Sequence, residues 1–272
     1  MHAGLDVTVT FIGNATTLIS GGGITVLTDP NFLHQGQHAY LGYGLLSRRR
    51  KPPALDVEQL PPLDVIVLSH LHGDHWDRVA QNALDKTLPV ITTTEAANRL
   101  RRRGFGASLG LRTWQDHTVI KGDTRLTMTA LPGRHAPSWT QRLLPPVNGT
   151  MLQFGSAGGE ASRTLYISGD TLLIDELGEI PVRFQSIDAG LLHLGGTRLP
   201  AGPKLPFGLT VTMDGEQGAE LTHRLQLPRV IPVHFDDYGV FASPLSDFTG
   251  AMADRGMADR VTVLERGASV TL

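Results

Sequence analysis

The stretch Ser-His-Leu-His-Gly-Asp-His, residues 69–75, directly follows the apolar run Val-Ile-Val-Leu at residues 65–68. Three histidines and an aspartate within six residues, at the end of a predicted buried strand, are typical of metal ligands. His70 and His72 are two residues apart, so an extended backbone points both imidazoles to the same side. The stretch therefore predicts a metal site between a strand and the helix that apolar spacing predicts over residues 76–86.

The second half of the stretch favours a second metal ion. Asp74 and His75 are adjacent, so their side chains diverge and one ion cannot easily take all four ligands. Two ions need further ligands, which we expect at the ends of other strands. Three candidates directly follow apolar runs: His135, Asp170 and His234. Each has an ordinary structural alternative, namely a turn histidine, an Asx-turn aspartate and a core histidine, but their shared placement favours ligands.

Composition narrows the function classes. The chain has 272 residues, 24 Lys and Arg against 26 Asp and Glu, and no cysteine. The missing cysteines exclude disulfides, zinc-thiolate sites and cysteine nucleophiles, while the charge balance lacks the basic excess of a nucleic-acid-binding protein. Neither a signal-peptide pattern nor an apolar run of membrane-spanning length is present, so we predict a cytoplasmic protein without a membrane span.

The apolar pattern predicts an α/β fold. Alternation of apolar and polar residues predicts an opening meander at 5–12, 14–20 and 23–28, with the glycines 21–23 forming a hairpin turn. Further strands are predicted at 89–93, 112–114, 118–120, 125–131, 150–154, 164–168, 187–194, 229–233 and 260–264. Further helices are predicted at 95–103, 172–177, 214–225 and 244–255. Two β-rich halves with helices at intervals predict one domain over residues 1–272, a four-layer αββα sandwich of two mixed sheets with outer helices.

Two long segments rich in glycine and proline are predicted to wall the substrate pocket, at residues 31–62 and 195–209. The first contains the basic cluster Arg48, Arg49, Arg50 and Lys51. This cluster is either a solvated face or a rim that attracts an anionic substrate. A phosphate on the substrate would suit this cluster, Arg134 or Lys204.

With these motifs in place, the sequence resembles the metallo-β-lactamase superfamily of metal-dependent hydrolases. The resemblance rests on His-x-His-x-Asp-His at residues 70–75 and on the later His, Asp and His, across nearly the whole chain. Gly-Asn-Ala-Thr-Thr at 13–17 and Ser-Gly-Asp-Thr at 168–171 are similar to the branch that contains ascorbate-6-phosphate lactonase and N-acylphosphatidylethanolamine phospholipase D. That branch usually has histidine where this chain has Asn14, and proline where it has His193.

The resemblance implies two metal ions, each with its own set of ligands. The first set is His70, His72 and His135; the second is Asp74, His75 and His234, with Asp170 bridging both ions. A hydroxide between the ions would attack a carbonyl carbon or a phosphorus. Zinc suits the His-rich ligands best, although a site with two carboxylates also accepts manganese or iron.

Other residues are predicted to support this chemistry. Asp74 and His193 are the predicted catalytic residues, with His193 donating a proton to the leaving group; the alternative for His193 is a packed or supporting histidine. Asp29 is expected to accept a hydrogen bond from a ligand histidine. Asp236 or Asp237 would do the same for His234, unless the pair forms a solvated turn.

The predicted function is hydrolysis of a lactone, another ester or a phosphodiester of a small, anionic molecule. Three alternatives are weighed against it. A tRNA-processing nuclease of the same fold would need a basic surface, and a di-iron redox protein would carry a carboxylate where this chain has Gly73. A non-catalytic metal-binding or ligand-binding module would have no need for Asp74 and a bridging Asp170 together.

Overall fold

The strands and helices are taken from a computed structural model, which describes residues 5–137, 140–200 and 208–272. The strands are β1 (Val7–Gly13), β2 (Thr16–Gly21), β3 (Ile24–Thr28), β4 (His38–Tyr40), β5 (Leu46–Arg48), β6 (Val65–Val67), β7 (Val90–Thr93), β8 (Ser108–Leu111), β9 (Asp116–Lys121), β10 (Thr124–Leu131), β11 (Gly149–Ser156), β12 (Ala161–Ile167), β13 (Ala189–His193), β14 (Arg198–Leu199), β15 (Leu209–Thr210), β16 (Val230–Val233) and β17 (Ser269–Thr271). The helices are α1 (Arg78–Ala83), α2 (Thr94–Arg102), α3 (Ile180–Arg183), α4 (Gly215–Arg224) and α5 (Leu245–Asp254).

Two mixed sheets form the centre of the fold. The first has the strand order β17-β1-β2-β3-β6-β7-β8, antiparallel up to β3 and parallel from β3 to β8. The second has the order β16-β13-β12-β11-β10-β9, parallel from β16 to β12 and antiparallel beyond. Each sheet therefore combines an antiparallel meander with strands joined through helices.

Side-chain alternation along the strands produces the layers. In β6, Val65 and Val67 belong to an apolar cluster shared with strands of the second sheet, whereas Ile66 faces the opposite way, toward Leu100 of α2. A third cluster packs α4 and α5 on the outer face of the second sheet. This arrangement confirms the predicted four-layer αββα sandwich.

The topology brings one end of many strands to a common edge. β10, β12, β13 and β16 run in the same direction in the second sheet, and β3 and β6 do so in the first. Each of the predicted site residues 29, 70, 135, 170, 193 and 234 lies at or just beyond the carboxyl end of one of these strands. Function-bearing side chains are thereby gathered where the two sheets open.

The predicted loop 31–62 contains regular structure. β4 and β5 form a hairpin, and a short 3-10 helix covers Val57–Gln59. The apolar residues of the hairpin have no strand periodicity because its strands are only three residues long. Of the second predicted loop, residues 201–207 and with them Lys204 lie outside the described residues.

Three predicted elements are wrong in position or type. The strand predicted at 112–114 is a turn in which Trp114 has a φ of 69°, and the sheet strand is β8, four residues earlier. The strand predicted at 260–264 makes a single bridge at Val261, whereas β17 closes the first sheet against β1. Both errors arise because the segment that becomes a strand is decided by hydrogen bonding to a strand that lies farther away in the sequence.

The third error is the helix predicted at 172–177. Ile174 is extended, a 3-10 helix covers Asp175–Glu179, and α3 follows. The backbone N–H of Leu172 donates to the carbonyl of Arg134 at 2.8 Å, so this segment bonds to the neighbouring turn rather than to its own helix.

The basic cluster is partly interior. Arg49 is fully buried, its guanidinium donates to the carbonyl of Asn31 at 2.8 Å, and it lies 3.3 Å from the buried carboxylate of Asp237. Arg48 next to it is exposed. The cluster is therefore neither only a solvated face nor only a rim, because one arginine joins the loop to the segment after β16. Among the described residues, no helix is both long and apolar enough to cross a membrane.

Replacement of Arg49 by alanine is expected to reduce the free energy of unfolding by about 1–3 kcal/mol, because it leaves the carbonyl of Asn31 without its donor and removes one of the two cations, Arg49 and Arg266, that contact the buried Asp237 carboxylate. Urea unfolding of the metal-loaded protein measures the change. The exposed neighbour supplies the control: Arg48→Ala should stay within about 0.5 kcal/mol of the wild type. Equal effects of the two substitutions would contradict the structural role of Arg49.

Candidate metal centre

All seven predicted ligands converge at the shared edge of the sheets, in two groups. Within each group, one ligand atom per residue lies within 4.8 Å of the others. The first group is His70, His72 and His135; the second is Asp74, His75, Asp170 and His234. The ring centroids of His70 and His75 are 4.2 Å apart, so the two groups adjoin.

The first group presents three imidazole nitrogens to one point. Nδ1 of His72 lies 2.9 Å from Nε2 of His70 and 3.1 Å from Nε2 of His135. His135 donates from Nδ1 to the backbone carbonyl of Asp170 at 2.9 Å, which fixes its tautomer and leaves Nε2 unprotonated toward the group. This is the arrangement of nitrogen donors that a divalent transition metal requires.

The second group mixes carboxylates with imidazoles. Nε2 of His75 lies 3.3 Å from Oδ2 of Asp170, and Nε2 of His234 lies 3.3 Å from Oδ2 of Asp74. Three of its buried polar atoms make no hydrogen bond with the described residues: Oδ1 of Asp74, and Oδ1 of Asp170 and Nδ1 of His234, which lie 3.4 Å apart. Each unpaired buried group costs about 1–3 kcal/mol, and a bound cation would remove that cost. The residues present therefore fit a metal ion.

The loop that carries four ligands is shaped by packing. The backbone N–H groups of His75 and Trp76 both donate to the carbonyl of His72, which folds the loop into a turn before α1. Gly73 donates to the carbonyl of Tyr40 in β4 at 2.9 Å, and a Cβ at Gly73 would lie 2.7 Å from the backbone of Tyr40. The hairpin thus rests on the ligand loop, and a carboxylate at position 73 has no room.

Charges around the ligands set their protonation. Burial, followed by the neighbouring histidines, holds the pKa of His70 well below its usual value, and burial with His135 lowers that of His72 to about 3. Burial alone would raise the pKa of Asp170, but His234 and His75 hold it well below its usual range. The first group is therefore neutral and the Asp170 carboxylate is ionised near pH 7, as metal binding requires.

His75 is the exception. Burial alone would lower its pKa, but the carboxylates Asp170, Asp74 and Asp29 raise it well above its usual value. Nδ1 of His75 lies 3.4 Å from Oδ2 of Asp29, whose other oxygen accepts from the backbone and hydroxyl of Ser69. Asp29 thus occupies the supporting position that the sequence predicted.

His193 lies behind the ligands. It is 1% exposed and stacks on His75, with Nε2 3.5 Å from Oδ2 of Asp29 and Nδ1 3.2 Å from the Ser168 hydroxyl. Burial lowers its pKa, an effect that Asp29 partly offsets. Of the two roles weighed for His193, this placement favours the supporting histidine over the proton donor.

The aspartates after His234 do not contact its imidazole within the described part of the chain. Asp237 instead accepts from the backbone of Asn14 at 2.8 Å, and Asp236 pairs with Lys51 and Arg266. The expectation that Asp236 or Asp237 orients the ring of His234 is therefore wrong, because both carboxylates are engaged by other groups.

Sequence reasoning missed the structural role of Asn14. Its side-chain amide donates to the backbone carbonyl of Asp74 at 2.7 Å, and its own carbonyl accepts from the backbone of His234 at 2.9 Å. Its φ of 56° is a left-handed conformation that asparagine tolerates better than most residues. The motif alone does not predict the positive φ, although an asparagine that directly follows a glycine is common in turns.

Two of the predicted anion-binding residues that the structure describes are engaged by other groups or buried. Arg134 pairs with Glu176, and Arg49 is buried. A cleft beside His72 is lined instead by Arg99 and Arg142, which carry no sequence motif. The hairpin of the 31–62 segment lines this cleft through Tyr40 and Tyr43.

Comparisons with known proteins agree with this geometry. The family model described as the beta-lactamase superfamily domain matches residues 25–235, a range that includes all the predicted ligands. A metal-dependent hydrolase of an Exiguobacterium species is 28% identical over 249 residues, covering 92% of this chain and 95% of that protein. An N-acyl-phosphatidylethanolamine-hydrolyzing phospholipase D of Caenorhabditis elegans is 25% identical over 87% of this chain, which spans 66% of that relative.

A solved structure shares the fold. The isothiocyanate hydrolase from Delia radicum gut bacteria superposes with a TM-score of 0.78 at 21% identity. The match covers 97% of this chain and 98% of that one. The likeness in fold therefore extends over nearly the whole length of both chains.

Metal binding is expected to depend on pH differently at the two groups. His70 and His72 are already neutral at pH 7, so the first group takes up an ion without releasing a proton. His75 retains its proton, so an ion that binds the second group must displace it, and affinity there rises with pH until pH passes the raised pKa. Calorimetric titration of metal-free protein in buffers of different ionisation enthalpy counts the protons released.

The control for this titration is His72→Ala, which disables the first group alone. It should abolish the pH-independent binding step and retain the proton-releasing one. Equal proton release in both steps of the wild type would contradict the assignment of the retained proton to His75.

Gly73→Ala is expected to destabilise the protein by about 1–3 kcal/mol, because the added methyl group would overlap the Tyr40 backbone and displace the hairpin. Denaturant unfolding measures the loss. Gly106→Ala is the matched control, since no heavy atom lies within 4 Å of the Cβ position there. Unchanged stability of Gly73→Ala would show that the hairpin does not rest on the ligand loop.

Proposed function

The chain belongs to the metallo-β-lactamase superfamily of metal-dependent hydrolases, and we propose that it uses two divalent metal ions to cleave a lactone, another ester or a phosphodiester of a small molecule. One observation carries the proposal. Two adjoining groups of buried ligand atoms, with orphaned carboxylate oxygens on Asp74 and Asp170, meet at the open edge of the sheets. Such a paired centre suits hydrolysis at a carbonyl carbon or a phosphorus.

The residues of the site have three roles: they would hold the ions, they orient ligand side chains, and they exclude bulk water. Divalent ions, when bound, supply Lewis acidity and lower the pKa of water toward neutrality. His70, His72 and His135 would hold one ion, while Asp74, His75, Asp170 and His234 would hold the other. Asp29 orients His75, and the depressed pKa of Asp170 keeps its carboxylate ionised. Burial of the second group excludes bulk water from its ligands.

Zinc is the proposed metal, with manganese or iron as acceptable substitutes. Five of the seven proposed ligands are imidazoles, which suit zinc, iron and copper. The two carboxylates add the oxygen donors that manganese and iron prefer.

The alternatives receive less support. A di-iron redox protein would need a carboxylate at position 73, where the backbone of Tyr40 leaves no space for any side chain. A nuclease would need a basic surface, and the formal net charge is −2. A non-catalytic metal-binding module would have no need for the carboxylates of Asp74 and Asp170 together.

Hydrolysis of three chromogenic substrates tests the proposal: bis(4-nitrophenyl) phosphate, a 4-nitrophenyl ester and a nitrophenyl-substituted lactone, with zinc or manganese added. Asp74→Asn removes a charge from the second group and should lower kcat/KM by at least about a hundredfold. Asp85→Asn, at an exposed aspartate after α1, should leave kcat/KM unchanged. Failure of the metal-replete wild type on all three substrates would overturn the hydrolase proposal.

A further inference from the structure

A cleft of about 370 Å³ opens beside the partly exposed His72, within the size range of small-molecule sites. The β4–β5 hairpin forms one wall with Tyr40 and Tyr43, and residues 142–145 form another. α2 contributes Arg99. Because His72 belongs to the first ligand group, a molecule in this cleft lies directly beside the metal centre.

The cleft contains a cation that has no partner among the described residues. Arg142 is exposed, and its guanidinium makes no hydrogen bond or ion pair with any residue that the structure describes. Arg99 pairs with Glu95 at 2.8 Å, one turn away on α2, with both side chains about half exposed. An exposed pair of this kind contributes only about 0.3–0.5 kcal/mol, so it holds Arg99 weakly. Two arginines against one glutamate make the cleft attractive to an anion.

The rim of the same cleft is apolar. Tyr40 is 56% exposed and Leu143 is 44% exposed, so both offer carbon surface to a ligand. The hydroxyl of Tyr43 donates to the carbonyl of Leu143 and ties the hairpin to the opposite wall. Tyr43 has a φ of 53°, a left-handed conformation that costs about 1–3 kcal/mol in a non-glycine residue and recurs at ligand clamps. The rim is therefore a fixed feature rather than a loose loop.

We propose that Arg142 binds an anionic oxyacid group of the substrate, a carboxylate or a phosphate, while Tyr40 and Leu143 contact an apolar group beside it. A planar guanidinium fork binds such groups through two parallel hydrogen bonds. The substrate class is a small amphiphilic ester or lactone that carries its negative charge away from the bond that is cleaved. This assignment rests on the proposed hydrolase function, because it takes the occupant of the cleft to be the substrate.

Binding of substrate analogues that react slowly or not at all tests the role of Arg142 as an anion anchor without requiring turnover. The probes are N-phenylglutaramic acid, its neutral primary amide, and 3-phenylpropylphosphonate, titrated calorimetrically into zinc-loaded protein. Arg142→Gln should weaken binding of the anions by about tenfold to a hundredfold and leave the neutral amide unaffected, because a charge-assisted hydrogen bond is lost. The affinity of Arg142→Lys for the anions should lie between that of the wild type and that of Arg142→Gln.

Arg112→Gln is the matched control, since Arg112 is exposed and does not line the cleft. It should bind all three probes as the wild type does. The larger of the two losses in Arg142→Gln, for the carboxylate or for the phosphonate, identifies the group that the substrate carries. Equal loss for anionic and neutral probes, or no loss at all, would overturn the anchor.

Hydrolysis separates this inference from the function on which it rests. With mono-4-nitrophenyl glutarate, Arg142→Gln should raise KM about tenfold with kcat unchanged, and it should not alter turnover of neutral 4-nitrophenyl butyrate. If esters are cleaved but Arg142→Gln changes neither substrate, the anchor is wrong and the hydrolase proposal stands. If no ester is cleaved while Arg142→Gln still weakens anion binding selectively, the anchor stands and the hydrolase proposal fails.

Discussion

The structure depends on one constraint, which is that carboxylates and imidazoles buried together must satisfy one another's charge. Asp29, Asp74 and Asp170 are all nearly inaccessible to solvent, and each would be costly to bury alone. They lie against His75, His193 and His234, so each of these three negative charges has a histidine neighbour. Strand ends from both sheets must meet for this pairing to exist, and the four-layer sandwich is the arrangement that brings them together.

Much of this was predictable from sequence because the signals are local. A period of two along a strand places every second residue in the core, and a ligand motif directly after an apolar run locates the sheet edge. The layers and the convergence of the seven ligands follow from those two patterns. Asp29 belongs with them, because it too directly follows a strand, β3.

The remaining features depend on partners distant in sequence. β17 becomes a strand only because β1 offers an open edge, and the segment after Asp170 is extended because Arg134 accepts its backbone hydrogen bond. The basic run around Arg49 predicts an exposed side chain, and only the contact with Asp237 explains why it is buried. Arg142 has no motif at all, since its role follows from the cleft it lines. No local pattern encodes any of these contacts.

Backbone strain marks the centre independently of its side chains. Asn14, Asp29 and His234 have φ values of 56°, 37° and 60°, conformations that cost non-glycine residues about 1–3 kcal/mol each. Such residues persist only where surrounding bonds over-determine them, and here the bonds run between the strained residues and the ligands: Asn14 accepts from the backbone of His234 and donates to that of Asp74. The candidate metal centre is thus held by backbone hydrogen bonds as well as by contacts between its side chains.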